Sequence, residues 1–257
     1  MSTFLFDKII FGPVNSRRLG VSLGINLLYQ DSKLCNYDCA YCECGWSCDE
    51  HNKELPSSEV VIHELEFFFK NPASNSKNLD VITFAGNGEP TLHPEFLRII
   101  DETIRLRDKY VPEVKIAVLT NATTLNNPGI IEGLNKIEMP ILKIDTVDQF
   151  EYELINRPLN NMGIQKIVDS IILKINNPII QTMFLKGWFN DHYFDNTSER
   201  SINEYLRTIK KISPSLVMIY SIARDTPMKG LERVELSCLE MIGKAINSMG
   251  IRTLITP

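Results

Sequence analysis

The sequence predicts an α/β protein in which parallel strands form an open or partial barrel. Short apolar segments alternate with longer amphipathic segments from residue 20 to the end of the 257-residue chain. The apolar segments lack regular polar alternation, which is typical of strands that are covered on both faces. Each strand–helix–strand repeat implies a right-handed crossover to a parallel neighbour. Six such units, a partial (β/α)6 barrel, close most of a barrel whose complete form has eight.

The same pattern places seven strands and six helices along the chain. Strands are predicted at residues 20–28, 79–85, 114–120, 140–145, 179–184, 216–220 and 251–255, and helices at residues 59–70, 94–109, 129–137, 163–174, 198–211 and 235–249. Ser57 or Ser58 can cap the first helix, and Pro94 and Pro128 suit a first helical turn, where proline loses no hydrogen bond.

Other segments complete the predicted organisation. Residues 188–199 form a longer excursion, either a lid or a connection. No internal repeat or long linker divides the chain. We therefore expect a single domain over residues 1–257, with an N-terminal extension over about residues 1–19.

Composition and charge limit the function classes. The chain is 44% apolar and 23% charged, so it can bury a full core. A net charge of −5 argues against broad nucleic-acid binding, which needs a basic face. We expect no signal peptide and no membrane span, because the first residues lack a basic segment followed by a long apolar one and no apolar stretch approaches 18 residues. These features favour a reducing cytoplasm.

The cysteines point to a metal centre. Five of the six lie between Cys35 and Cys48 (the cysteine loop), and the spacing of Cys35, Cys39 and Cys42 is C-x3-C-x2-C. Three thiolates on one loop can hold three irons of a cubane and leave the fourth iron open. Zinc is the alternative, since Cys44, Cys48 and His51 add soft ligands, and some of the cysteines can be free thiols.

The cysteine loop resembles that of the radical S-adenosylmethionine (radical SAM) superfamily, whose hallmark is C-x3-C-x-aromatic-C. Residues 11–24, residues 84–94 and Leu119-Thr-Asn121 resemble segments of the branch related to wyosine-forming tRNA enzymes. The resemblance implies a partial (β/α)6 barrel. It also implies that Cys35, Cys39 and Cys42 hold a 4Fe–4S cluster and that S-adenosylmethionine binds beside it.

Further site residues follow from the resemblance. Asn87-Gly88-Glu89 lies where the family has a Gly-Gly-Glu that binds the methionine amino group. The resemblance implies that Asn121 and Asp145 contact the ribose, that Arg157 or Arg224 binds the methionine carboxylate or a substrate anion, and that Tyr41 lies against the adenine. Each residue also has an alternative explanation: Glu89 and Asp145 can be turn residues, and Asn121 can be a helix cap. Either arginine can form a surface ion pair, and Tyr41 can pack as an aromatic residue under the loop.

The resemblance implies an oxidoreductase-type radical enzyme. Its cluster would reductively cleave S-adenosylmethionine to a 5′-deoxyadenosyl radical that abstracts hydrogen from a substrate, with electrons from a donor such as flavodoxin or ferredoxin. The substrate is a nucleoside or tRNA base, a peptide or a small molecule. The rival class is a non-catalytic zinc- or iron–sulfur-binding interaction module.

Overall fold

A computed structural model describes residues 4–47, 54–71, 76–224 and 226–256. The strands, numbered in chain order, are β1 (Ile10–Ser16), β2 (Gly20–Ile25), β3 (Val81–Phe84), β4 (Lys115–Thr120), β5 (Met139–Lys143), β6 (Ile179–Met183), β7 (Leu185–Phe189), β8 (His192–Asp195), β9 (Leu216–Tyr220), β10 (Leu231–Arg233) and β11 (Thr253–Thr256). The helices are α1 (Ser58–Lys70), α2 (Phe96–Tyr110), α3 (Pro128–Asn135), α4 (Gln149–Ile155), α5 (Ile164–Lys174), α6 (Glu199–Ile212) and α7 (Leu236–Ser248).

The main sheet confirms the predicted fold class. Its eight strands follow the order β1-β2-β3-β4-β5-β6-β9-β11. The strands from β2 to β11 are mutually parallel, and they are the seven strands that the sequence predicts. The sheet is curled into a partial barrel that stays open between β1 and β11.

Two apolar layers cover the sheet. Val81, Ala117, Ile141, Ile179 and Met218 form one buried cluster on five adjacent strands, which fills the inside of the curl. The helices pack on the other face and share with it the largest core cluster of the described residues. Burial on both faces explains why these strands read as continuous apolar runs.

Helix starts follow side-chain chemistry. Ser57, Asn127, Asp148 and Ser198 cap α1, α3, α4 and α6, each accepting a backbone N–H of the first turn. Pro128 stands at the beginning of α3, as predicted. None of the helices in the described ranges is long and apolar enough to cross a membrane.

The N-terminal extension differs most from its sequence description. Residues 10–16 form β1, which pairs antiparallel with β2 in a hairpin. Leu19, in the turn of that hairpin, packs against the cluster inside the curl. The extension thus closes the amino-terminal end of the partial barrel. Its strand was missed because only Ile10 and Phe11 are apolar at its start.

Two further elements were not predicted as such. α4 is only seven residues long and follows β5 directly. Residues 185–195 form the hairpin β7–β8, which joins β10 in a separate three-stranded antiparallel sheet. The predicted excursion therefore has regular structure. Its sequence alternates poorly because Trp188 and Tyr193 are exposed apolar residues.

Candidate active site

A cavity of about 250 Å³ opens at the carboxyl ends of the parallel strands. Loops at this end of such sheets carry the functional groups of the fold. The cavity is lined by Cys35, Tyr37, Cys39, Tyr41, Cys42, Ala85, Gly86, Gly88, Glu89, Leu119, Thr120, Asn121, Ile141, Lys143 and Gln181. The three predicted cluster ligands thus share one cavity with Tyr41, Gly88, Glu89 and Asn121.

One side of the cysteine loop is fixed to the end of β3. Leu34 N–H donates to the Asn87 carbonyl at 2.9 Å, and Glu89 N–H donates to the Leu34 carbonyl at 2.9 Å. Gly88 lies between these bonds with φ +138°, and a Cβ there would stand 1.8 Å from the Leu34 carbonyl oxygen. The glycine is therefore required both by its backbone conformation and by the close approach of the loop.

The other side of the loop is fixed to the segment after α4. Asp38 N–H donates to the Arg157 carbonyl at 3.1 Å, and Ala40 N–H donates to the Ile155 carbonyl at 2.8 Å. Tyr37 also bridges to Pro158, and its hydroxyl accepts from Tyr152 at 2.7 Å. Segments more than a hundred residues apart in the sequence thus hold the cysteines.

A buried ammonium lies under the loop. The Lys33 side chain is 1% exposed, and its Nζ donates to Asp38 Oδ1 at 3.0 Å and to the Gly45 carbonyl at 3.1 Å. Burial by itself lowers the pKa of Lys33, but the negative charges of the three cysteines outweigh it, so the pKa is raised. Lys33 therefore adds a fixed positive charge beside the thiolates.

The three thiols have different surroundings. Cys35 Sγ and Cys39 Sγ accept from the side-chain amides of Asn121 and Asn156, at 3.8 and 3.6 Å. Burial raises the pKa of Cys35 and raises the pKa of Cys39 to about 11. A hydrogen bond from Cys44, helped by Lys33, lowers the pKa of Cys42 to about 6. A bound metal needs the thiolate form, which charge and N–H donors favour.

A single ion and a cluster place different demands on the thiols. No three His, Cys, Asp or Glu side chains converge on one metal position among the residues that the structure describes. Zinc requires its ligands within about 2.0–2.3 Å of one point, whereas the cysteines of a cubane bind different irons. Cys48 and His51, the other candidate zinc ligands, lie outside the described residues.

Glu89 is a buried acceptor at the cavity wall. Its Oε1 accepts from Thr91 N–H at 3.1 Å and from the hydroxyls of Thr91 and Thr120 at 2.5 and 2.7 Å. Among the residues that the structure describes, its Oε2 accepts only from Asn121 N–H, at 2.7 Å. Burial raises the pKa of Glu89 although these hydrogen bonds oppose it. Oε2 retains acceptor capacity for a ligand.

Asn121 and Asn87 have different roles. Asn121 lines the cavity, and its Nδ2 donates to Asn36 Oδ1 at 2.7 Å. The Asn87 amide points the other way, bonding the backbone N–H and carbonyl of Phe6 at 2.9 Å and the Tyr29 carbonyl at 2.7 Å. The Asn87 side chain therefore binds the N-terminal segment, and the cofactor contact that the resemblance implies stays a prediction.

Asp145 lies behind the cavity wall. Its Oδ2 accepts from the Tyr41 hydroxyl and from Asn156 Nδ2, and its Oδ1 accepts from Met183 N–H at 2.8 Å. Lys143 Nζ is 3.1 Å from Oδ1. Asp145 is 1% exposed and has a donor for each lone-pair direction. It holds Tyr41 and Lys143 in place, and the ribose contact that the resemblance implies stays a prediction.

Sequence reasoning missed Lys143 and Gln181. Lys143 ends the apolar strand β5, Gln181 interrupts the apolar strand β6, and both residues line the cavity. Lys143 Nζ also donates to the Tyr220 hydroxyl at 2.6 Å. The available signal was a lysine at the end of a strand that is otherwise apolar, two residues before Asp145.

The remaining candidates lie around the site. The Arg157 guanidinium stacks on Trp46 and Phe189, with its carbon 4.3 and 4.7 Å from the ring centroids. Arg224 pairs with Glu43 at 2.6 Å. Cys44 Sγ lies 3.5 Å from the Gly86 carbonyl oxygen. Cys238 stands apart on α7, half-buried and near Lys186.

Comparisons with known proteins agree with this geometry. The profile of the family described as Radical SAM superfamily matches residues 29–199. The chain is 30% identical over 227 residues to a UPF0026 protein of Synechocystis sp., covering 86% of this chain and 77% of that protein. It is 28% identical over 229 residues to a protein of Brachyspira hyodysenteriae named GTPase Obg, covering 86% of this chain and 31% of that protein.

Two solved structures have a similar fold. A radical SAM methyltransferase from Sphaerobacter thermophilus aligns with TM-score 0.66 at 11% identity, over 91% of this chain and 65% of that chain. Streptococcus suis SuiB bound to S-adenosylmethionine aligns with TM-score 0.58 at 12% identity, over 88% of this chain and 46% of that chain. At these identities the likeness shows the fold alone.

The comparisons also limit what can be transferred. The chain spans 31% of the Brachyspira protein, so whole-protein activity, substrates and partners are matters of proposal. The UPF0026 name differs from the wyosine-related branch that the sequence motifs resemble. Because the superfamily profile covers more than half of the chain and the Synechocystis relative is matched over 77% of its length, the chain belongs to the radical SAM superfamily and to the UPF0026 family.

Proposed function

We propose that this protein is a radical SAM enzyme that cleaves S-adenosylmethionine reductively and abstracts hydrogen from a substrate in the partial barrel. The observation that carries the proposal is the shared cavity of Cys35, Cys39 and Cys42 with Gly88 and Glu89. A non-catalytic metal module has no need of a cavity between its cysteines and the strand ends.

The three cysteines would hold a 4Fe–4S cluster. When bound and reduced, that cluster supplies the electron that cleaves S-adenosylmethionine to methionine and the 5′-deoxyadenosyl radical. Lys33 offsets the negative charge of the thiolates from beneath the loop. The amides of Asn121 and Asn156 donate to two of the sulfurs, which orients the thiolates toward the cavity.

The strand ends would hold S-adenosylmethionine. Glu89 Oε2 is the acceptor for the methionine ammonium, and it also fixes the backbone of Asn121. Tyr41 offers its ring to the adenine, held by its hydroxyl bond to Asp145. Arg157 is the partner for the methionine carboxylate, because its Nη1 is buried without a hydrogen bond from the described residues.

The electron donor and the substrate class remain part of the proposal. A small redox protein such as flavodoxin or ferredoxin supplies electrons one at a time. The net charge of −5 favours a small molecule or a peptide over a large nucleic acid.

Anaerobic reconstitution tests the proposal. Wild-type protein should be brown, carry iron and sulfide near four each per chain, change its EPR signal on addition of S-adenosylmethionine, and form 5′-deoxyadenosine with dithionite. Cys35→Ala, Cys39→Ala and Cys42→Ala should each lose the cluster. Cys238→Ala is the matched control, because Cys238 lies on α7 away from the cysteine loop.

The outcomes separate the two classes of function. A colourless protein that binds one zinc ion per chain contradicts the enzyme and supports the interaction module. Loss of iron in Cys44→Ala with retention in Cys42→Ala would overturn the ligand assignment. If the protein is brown but its EPR signal does not change on addition of S-adenosylmethionine, only iron–sulfur binding is supported.

A further inference from the structure

Two guanidinium groups of the described residues each have a buried nitrogen without a hydrogen bond. They belong to Arg18 and Arg157. A buried polar atom left unpaired is costly, so such atoms mark positions where a ligand completes the bonding. S-adenosylmethionine carries one carboxylate, for which Arg157 is the partner proposed above. The Arg18 nitrogen is the second such atom, and the function proposed above does not use it.

Arg18 reaches the barrel from below. It belongs to the β1–β2 turn, and its neighbour Leu19 packs into the cluster inside the curl. The guanidinium carbon of Arg18 lies 4.1 Å from the centroid of the Tyr220 ring, at the end of β9. No carboxylate within ion-pair distance of Arg18 occurs among the described residues. No acidic side chain of the described residues therefore balances its charge.

Lys143 approaches the same ring from the cavity. Its Nζ lies 4.7 Å from the Tyr220 centroid and donates to the Tyr220 hydroxyl and to Asp145. An ammonium has three donors, so one is left for a ligand. Asp145 neutralises Lys143, but the pair together with Arg18 retains one net positive charge.

The geometry points to an anion-binding subsite, built from Arg18, Lys143 and Tyr220, that holds a carboxylate or phosphate group of the substrate inside the partial barrel. Both cations lie within 5 Å of the centroid of the Tyr220 ring, so they concentrate positive charge around one side chain. Charge-assisted bonds to guanidinium and ammonium are the strong interactions that such a group finds in a protein. This inference rests on the proposed function, because Lys143 also lines the cavity that carries that function.

Calorimetric titration of the anaerobically purified protein tests the subsite. Inorganic phosphate is the probe in one arm and acetate in the other, at constant ionic strength in chloride. The wild type should bind one of the two saturably, and the preferred arm identifies a phosphorylated or a carboxylate substrate. Arg18→Met and Lys143→Met should each weaken binding about tenfold or more.

Matched variants keep the result interpretable. Arg17→Met removes the same charge from an exposed position of the same turn and should leave the affinity unchanged. Arg18→Lys keeps the charge and tests the subsite if Arg18→Met fails to fold; it should bind within about tenfold of the wild type. The inference would be overturned if the wild type bound neither anion saturably. It would also be overturned if Arg17→Met and Arg18→Met lost affinity equally.

S-adenosylmethionine binding, followed by EPR on the wild type, is measured in parallel. A wild type that binds S-adenosylmethionine but neither anion contradicts the subsite alone. A wild type that binds the anion but not S-adenosylmethionine contradicts the proposed function alone.

Discussion

Two buried glutamates show how the type of hydrogen-bond donor around a carboxylate determines whether a substitution is tolerated. Glu89 accepts from two backbone N–H groups and two hydroxyls. Glu151 accepts only from the hydroxyls of Thr146 and Ser201, at 2.7 and 3.0 Å. A hydroxyl can reverse and accept, whereas a backbone N–H cannot. The same substitution therefore has different consequences at the two positions.

Glu89→Gln should weaken both the fold and the cofactor site. Whichever way the amide is turned, its NH₂ faces the N–H of Thr91 or Asn121, so one buried donor loses its acceptor. We expect a loss of about 1–3 kcal/mol in the free energy of unfolding, and Glu89→Ala should bind S-adenosylmethionine roughly tenfold to hundredfold more weakly. Denaturant unfolding and EPR-monitored titration measure these effects.

The control for Glu89 is Glu240→Gln on the exposed face of α7. Iron content should stay at the wild-type level in both Glu89 variants. Unchanged affinity for S-adenosylmethionine in Glu89→Ala would show that the Glu89 side chain only fixes Thr91, Thr120 and Asn121.

Glu151→Gln should change the pH dependence of stability. Burial raises the pKa of Glu151, and the nearby charges of Asp148 and Asp195 raise it further. The folded state thus binds this proton more tightly than the unfolded state does. The contribution of Glu151 to the free energy of unfolding is therefore fully present below the unfolded pKa of ~4.3, and it is lost as pH rises through the folded pKa. The glutamine variant should be more stable at pH 7 and show a flatter profile. Thermal unfolding between pH 4 and pH 7 measures both; a steeper profile than the wild type would contradict the assignment.

Lys33→Met should make the cluster harder to reduce. A buried positive charge stabilises the more negative, reduced cluster, so its removal should move the reduction potential to more negative values, on the order of tens of millivolts. An EPR-monitored redox titration measures the potential. Lys33→Arg keeps the charge and Lys244→Met removes an exposed one. Equal potentials in Lys33→Met and the wild type would contradict a role for this charge.

At the scale of elements, the cysteine loop depends on the Leu34–Gly88 contact. Gly88→Ala places a Cβ 1.8 Å from the Leu34 carbonyl oxygen, which only backbone movement can relieve. The variant should therefore lose most of its iron on reconstitution and unfold at a lower temperature. Gly250→Ala is the matched control, since Gly250 also has a positive φ, of +79°, but nothing within 4 Å of the added Cβ. Iron loss equal in both variants would assign the effect to backbone strain alone.

The elements that carry the site were predictable, because burial on both faces makes parallel strands into apolar runs. The small sheet β10-β7-β8 and α4 were not, since short elements with one exposed face carry little periodic signal. The predicted cysteines, Gly88, Glu89 and Asn121 line one cavity because strand ends converge. Lys143, Arg18 and Tyr220 were missed as a group, because residues from three distant segments meet only after the sheet curls.

At the scale of the whole molecule, cofactor and fold should be linked. Residues 26–33 and 36–47 connect β2 to the site without a helix or a strand of their own, and the three cysteines are held by contacts to two distant segments. A cluster that binds only the folded chain stabilises it. Removal of the cluster should lower the melting temperature by several degrees, since ~1 kcal/mol shifts a chain of this size by about 2–4 °C. Circular dichroism before and after reconstitution measures the shift, and Cys35→Ala should show none.

The two attachments of the cysteine loop also determine when the cysteines can be positioned during synthesis of the chain. The carbonyl of Arg157 that holds Asp38 is synthesised about 120 residues after Cys35. At ~5–20 residues per second, that interval is on the order of 10 s. During that interval the cysteines lie on a nascent segment, and the residues that hold one side of the cysteine loop have not yet been synthesised. We therefore expect cluster insertion to follow translation of at least the first five of the eight strands of the main sheet.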